Sequence, residues 1–284
     1  MRGSIGLILT LAMTGTAGAQ GRGRGAVPGG GAPGGSIEHV IVHGKALEGN
    51  REGDSPDRNL TIYLPPNYAN DPARRFPVIY FLPDFQEPSD DVINGIKNAA
   101  DKPSPVQGFS EPIVVALDAN TSRKESMYGS SPAAGDWERF IADDLVGYVD
   151  SHYRTLSKRI SRGLAGHSMG AYGALRIGMK RPDVFSSLYL MSACCLTETN
   201  STLEQNSNLM NHYGIAIEIG DGDASLAANR QLHEAMMSLH VRHSYQEYEG
   251  NHTSKAGERF ERNLLPFFSK NLAAPANPTS PAVQ

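Results

Sequence analysis

Gly166-His167-Ser168-Met169-Gly170 fits the G-x-S-x-G pattern, in which a serine at the tip of a tight strand-to-helix turn acts as a nucleophile. The pattern has a steric origin. The backbone at the tip is strained, and the residues two positions to either side must be nearly free of side chain so that strand and helix can pass each other. The flanks agree with this geometry: Ile160 to Ala165 reads as a short buried strand, and Ala171 to Met179 as a helix of small residues that Arg181-Pro182 ends. A serine hydroxyl is a weak nucleophile. It needs a base within hydrogen-bond reach and a third group that fixes the tautomer of that base. With an elbow of this type the order along the chain is Ser, then Asp or Glu, then His.

Two aspartates are placed for the middle role. Asp223 ends the loop Gly220-Asp221-Gly222-Asp223 after a strand-like run at Ile215 to Ile219, and Asp221 shares that loop as its rival. Asp223 is preferred because it lies further into the turn and abuts the following helix. Among nine histidines, His252 has the right order and stands in a turn between the last strand and the last helix. His167 neighbours the nucleophile and is expected to pack or line the pocket. His233, His240 and His243 suit surface roles. An acyl-transfer intermediate also needs donors for its oxyanion. The backbone N–H of Met169 is one, and the turn after Leu82 should offer the other at Phe85, since Pro83 has no N–H.

These residues need a sheet to converge. Short continuous apolar runs at Pro77 to Leu82 and Ile113 to Leu117 have the form of buried central strands, with Ile37 to Val42 and Leu60 to Tyr63 as earlier ones. Trp137 to Tyr153 is spaced as an amphipathic helix. After the elbow the pattern continues as a strand at Ser187 to Met191, a loop through Asn208, a strand at Ile215 to Ile219, a helix from about Ala224 to Leu239, a strand at Ser244 to Tyr248 and a helix over about Ala256 to Phe268. This alternation predicts an α/β domain with a mostly parallel central sheet and helices on both faces.

The remainder of the chain narrows the class. A length of 284 residues, 39% hydrophobic and 20% charged, suits one large domain. A net charge of -4 supplies no basic field for nucleic acid. Met1-Arg2, the apolar stretch Ile5 to Met13 and Ala17-Gly18-Ala19 have the three parts of a secretory signal, with cleavage expected after Ala19, so a secreted or periplasmic protein is expected. The apolar stretch is too short to span a bilayer. Residues 20–35 read as a glycine-rich flexible tether, residues 36–272 as the catalytic domain, and residues 273–284 as a loose Pro/Ala-rich tail. Adjacent Cys194 and Cys195 are expected to pack as small apolar side chains, because a bond between neighbours is uncommon. No metal-ligand set is completed, and the chemistry requires no metal and no organic cofactor.

Taken together, Leu64-Pro65-Pro66-Asn67-Tyr68, Pro77 to Leu82, Gly135-Asp136-Trp137-Glu138, Ala165 to Ala171, Gly220 to Asp223 and Gly250-Asn251-His252 resemble the putative-esterase family of α/β-hydrolases. That family includes S-formylglutathione hydrolases, feruloyl esterase domains, enterochelin esterases and mycolyltransferases, and the likeness runs from about Ile37 to Leu272. The resemblance implies an α/β-hydrolase fold, Ser168, Asp223 and His252 as the triad, and Phe85 and Met169 at the oxyanion positions. Together with the export signal, it implies a secreted serine carboxylesterase acting on a small-molecule or carbohydrate ester, such as feruloyl or acetyl esters of plant polysaccharide. Acyl transfer to a sugar or alcohol, and a ligand-binding scaffold with weak catalysis, are the alternatives. One departure stands out: where the family commonly has His-Gly and further glycines, this chain has Pro83-Asp84-Phe85-Gln86-Glu87. A differently shaped or weaker oxyanion turn is expected there, with the Asp84 carboxylate near a developing anion unless it turns away or pairs.

Overall fold

The computed structural model describes residues 34–273 apart from 105, 107, 123–125 and 197–198. The expected export segment, most of the glycine-rich tether and all of the tail after residue 273 lie outside the described residues.

In chain order the strands are β1 (Ser36–His43), β2 (Asp57–Leu64), β3 (Val78–Leu82), β4 (Ile113–Leu117), the two-residue partners β5 (Ser130–Ser131) and β6 (Gly135–Asp136), then β7 (Arg162–His167), β8 (Ser187–Met191), β9 (Gly214–Gly220) and β10 (Ser244–Tyr248). The short pair β5 and β6 stands apart. The other eight form one sheet in the order β1-β2-β4-β3-β7-β8-β9-β10. β1 pairs antiparallel with β2, and β2 with β4; from β4 to β10 every pairing is parallel. The central strands β3, β4 and β8 are buried at every position, which is why they read as unbroken apolar runs rather than as alternation.

Helices cover both faces of this sheet. Short α1 (Pro66–Asn70) follows β2, and α2 (Ser89–Ala100) follows the turn after β3. One long helical stretch consists of α3 (Trp137–Arg139), a π-helical segment Phe140–Leu145 and α4 (Val146–His152). After the elbow come α5 (Met169–Lys180), α6 (Thr199–Met210) and α7 (Leu226–Ser238). The last stretch is α8 (Ala256–Arg259), a π-helical segment Phe260–Leu264 and α9 (Leu265–Asn271). Tyr80, Leu82, Val115 and Leu164 point to one face, where they pack with Trp137, Phe140, Leu175 and Met236. Ile79, Phe81, Val114 and Ala165 point to the other, against Ile93, Ile96, Phe260 and Phe268. Among the described residues no helix is long and apolar enough to cross a membrane.

Two local expectations are corrected. The stretch through Asn208 is not all loop, since helix α6 fills most of it. Its sequence is polar, and the helix docks by Leu203 and Met210, two turns apart and fully buried. Two anchors seven residues apart give too sparse a periodicity to reveal a helix. The two cysteines are not free thiols: Cys194 and Cys195 form a vicinal disulfide, with Cys195 in the left-handed region at φ 62°.

The sheet-to-helix contact behind the site rests on aromatic packing. Phe81 is fully buried and meets Phe260 edge-on at 5.8 Å. Phe81→Ala should lower stability by about 3–5 kcal/mol, read as a shift of the urea midpoint. A change under about 1 kcal/mol would mean that this face is not close-packed.

Candidate active site

Ser168 joins β7 to α5 at φ 54° and ψ -113°, a conformation that a residue with a side chain seldom adopts. The turn is held by main-chain hydrogen bonds. Ser168 N–H donates to Met191 O (2.8 Å), and Ser168 O accepts from Tyr172 N–H (3.1 Å) and Cys194 N–H (3.3 Å). The flanking glycines are required by close approach. A Cβ on Gly166 would stand 2.2 Å from the carbonyl of Gly170, and one on Gly170 would stand 1.8 Å from Leu82 O. The pattern thus records where β7, α5 and the end of β3 touch.

Parallel strands deliver the other groups to the same edge. Asp223 lies three residues past β9, and its side chain is fully buried. One carboxylate oxygen accepts from Ser225 N–H (2.8 Å), and the other meets His252 Nδ1 at 2.7 Å. Because an ionised carboxylate can only accept, Nδ1 carries the proton, and Nε2 is the basic nitrogen of the neutral ring. Asp221 points elsewhere, accepting from Gly250 N–H at 3.0 Å. The structure therefore brings Asp223, rather than Asp221, to His252.

The loop carrying His252 is fixed through its own carbonyl. That oxygen accepts from His167 Nε2 (3.0 Å), Arg259 Nη1 (3.4 Å) and Ser192 Oγ (3.5 Å). Arg259 in turn binds Glu218 Oε1 (2.7 Å), whose second oxygen accepts from Tyr189 Oη (2.7 Å) and Asn263 Nδ2 (2.8 Å). Both members of this ion pair are buried, at 3% and 1% exposure. Sequence reasoning missed the pair, although a glutamate inside the apolar run Ile215 to Ile219 is itself a sign of a buried partner.

The turn after β3 holds the second surprise. The N–H groups of Phe85 (2.7 Å) and Met169 (3.3 Å) both donate to Oδ1 of Asp84. The expected oxyanion donors therefore converge, and the Asp84 carboxylate sits between them. Its Oδ2 lies 3.6 Å from His252 Nε2, and the Ser168 hydroxyl also faces this carboxylate. The main chain of the turn is anchored independently. Pro83 O accepts from the buried Tyr128 hydroxyl (2.8 Å), Asp84 N–H donates to Glu87 Oε2 (2.8 Å), and Gln86 takes the left-handed conformation at φ 57°.

Charge follows from these contacts. Burial works to raise the Asp84 pKa, yet the facing His252 ring, the hydrogen bond from Phe85 N–H and the Ser168 hydroxyl, with His167 nearby, bring it down to about 2. Asp84 is the largest influence raising His252 above its ordinary value of 6.5; burial opposes it, and Asp223 adds to it. Beside the turn lies a groove of about 800 Å³. It shares Gln86 and Glu87 with the turn, and its wall includes Asn59, Asp90, Asp118 and Asn120, but neither Ser168 nor His252 lines it. Among the described residues, no group of three or more His, Cys, Asp or Glu side chains is arranged to hold a metal ion.

Fold and site together define a serine hydrolase of esters. Residues 55–268 match the family described as Putative esterase, and the chain belongs to that family. Its architecture is the α/β-hydrolase fold. It superposes on a ferulic acid esterase with a TM-score of 0.74 at 19% identity, covering 84% of this chain and 99% of that one. An S-formylglutathione hydrolase from Agrobacterium tumefaciens gives a TM-score of 0.65 at 14% identity, over 84% of this chain and 96% of that one. A relative in sequence is the uncharacterized protein YjcH of Bacillus subtilis (strain 168), 21% identical over 210 residues, which are 69% of this chain and 85% of the relative.

Removing one member of the buried ion pair leaves the other charged and unpaired. Arg259→Met should cost about 3–5 kcal/mol of stability, measured by chemical denaturation. A variant as stable as the parent would show that Glu218 does not depend on Arg259.

Proposed function

We propose that the protein is an exported serine carboxylesterase working through Ser168, His252 and Asp223, with no metal or organic cofactor. The observation that carries this reading is the 2.7 Å bond from His252 Nδ1 to the buried Asp223, with Ser168 at the strained tip of the adjacent strand. Ser168 Oγ attacks the ester carbonyl while His252 Nε2 takes its proton. The tetrahedral oxyanion is held by the N–H groups of Phe85 and Met169. His252 then gives the proton to the departing alcohol, and water, activated by the same histidine, frees the acid from Ser168.

The address and the substrate belong to the same proposal. Met1-Arg2, the apolar stretch Ile5 to Met13 and Ala17-Gly18-Ala19 support export, and a vicinal disulfide suits an oxidising compartment. Likeness of fold to a ferulic acid esterase favours feruloyl or acetyl esters of plant polysaccharide as substrates.

Hydrolysis of p-nitrophenyl acetate and methyl ferulate by the mature protein, beside a folded Ser168→Ala variant, tests the reading. Activity should fall by more than roughly 10⁴-fold in the variant, and the preference between the two esters reports on the acid portion. Equal turnover by both proteins would remove Ser168 from the reaction. The pH profile supplies a second check. His252 acts as a base only when neutral, and its pKa lies above 6.5, so kcat/KM should rise with pH with a midpoint above 6.5. A profile flat from pH 5 to 8, with chemistry limiting, would exclude histidine as the base.

A further inference from the structure

We propose that the Asp84 side chain is a gate: its carboxylate is a resident occupant of the oxyanion hole, and an ester carbonyl must displace it before Ser168 can attack. The inference rests on the serine-esterase reading and adds to it a built-in competitor for the substrate. Three independent contacts place the gate. Oδ1 accepts from both oxyanion donors, Phe85 N–H at 2.7 Å and Met169 N–H at 3.3 Å, and Oδ2 faces the basic nitrogen of His252 at 3.6 Å. This is the pose of a carboxylic acid product just released from Ser168, one oxygen in the hole and the other against the base. Here the chain supplies the carboxylate itself.

The hole and its plug are held by different means, which allows one to move without the other. Tyr128 grips the carbonyl of Pro83, and Glu87 grips the N–H of Asp84, so the main chain that presents Phe85 N–H stays in place. The Asp84 side chain is 23% exposed and leaves by rotation about its own χ1. A carbonyl oxygen gaining negative charge cannot share two donors with a carboxylate, because like charges at contact repel strongly where water is excluded. The open fraction therefore sets the apparent affinity, which is weakened by that fraction while turnover of the bound ester is preserved. The ionisable groups around the gate are His252 and His167 from the elements opposite and Glu87 on its own turn. His252 is faced in addition by Asp223, with Arg259 at its carbonyl.

Asp84→Ala empties the hole, and Asp84→Asn leaves an uncharged side chain of the same shape. With p-nitrophenyl acetate, D84A should lower KM at least 10-fold with kcat within about 3-fold, and D84N should fall between D84A and wild type. A fluorophosphonate probe should label Ser168 of D84A at least 10-fold faster. In that step the Oγ–P bond forms, fluoride leaves and the serine proton passes to His252, while the phosphoryl oxygen takes the hole. On the resting proteins, NMR titration should show the His252 midpoint moving to lower pH in both variants, a readout independent of turnover. Wild type inert and D84A active would also support the gate. If wild type is active through Ser168 while D84A and D84N, folded by circular dichroism, keep its KM, labelling rate and His252 midpoint, or lose activity, the gate is overturned and the esterase reading stands. No turnover and no labelling in any form would overturn both.

Discussion

The site depends on a backbone that turns at Ser168 with no room for a side chain two residues to either side of it. Gly170 passes so near Leu82 O that a methyl group there would overlap it, and Gly166 is as close to Gly170. These contacts fix α5 against the ends of β7 and β3 together. A residue at φ 54° and ψ -113° carries strain on the order of 1–3 kcal/mol, and it persists because the N–H and C=O of Ser168 are both hydrogen-bonded to surrounding main chain. The same packing sets Met169 N–H opposite the turn after β3. One steric constraint thus positions Ser168 at the tip of the turn and brings the N–H groups of Met169 and Phe85 to a single point.

The histidine is held by a different principle. It stands on a loop, where a side chain is ordinarily free to move, but its carbonyl and its ring are both fixed. The carbonyl reads through Arg259 and Ser192 into the buried Glu218 on β9, and the ring reads into Asp223 just beyond the same strand. Both constraints therefore start from one strand. Arg259 on α8 and Glu218 on β9 together clamp the loop against the strand that leads to Asp223, which holds the 2.7 Å bond on which the tautomer depends.

Much of this was legible in the chain because the relevant constraints are local or ordered. The elbow is a five-residue pattern with a steric cause. His252 could be placed by chain order and by its position after the last strand, and the central strands declared themselves as apolar runs because both faces of the sheet are covered. Choosing Asp223 over Asp221 was harder, because the two share one turn and only its three-dimensional path sends one inward and the other to Gly250. The Glu218–Arg259 pair, 41 residues apart, and the Tyr128 bond to Pro83, 45 apart, are contacts between distant segments that no periodicity encodes. Helix α6 escaped because its two buried anchors give no stripe. The vicinal disulfide escaped because adjacent cysteines do not by their spacing distinguish a bond from two thiols.

The turn after β3 shows how a sequence departure and a preserved geometry can coexist. A run lacking glycine restricts the backbone, and the expectation was a turn of different shape or weaker stabilising power. Gln86 adopts the left-handed conformation that glycine would take most easily, and Tyr128 and Glu87 hold the residues before it, so the N–H of Phe85 still meets that of Met169 at one oxygen. The two donors therefore converge with no glycine in the turn, and the Asp84 side chain there is short enough to fold back onto the next residue's N–H. An oxyanion hole is a site that prefers an anion to a neutral carbonyl, and a carboxylate one residue away meets that preference in the resting protein. Its presence there shows that the N–H groups of Phe85 and Met169 are arranged to hold an anionic oxygen at one point.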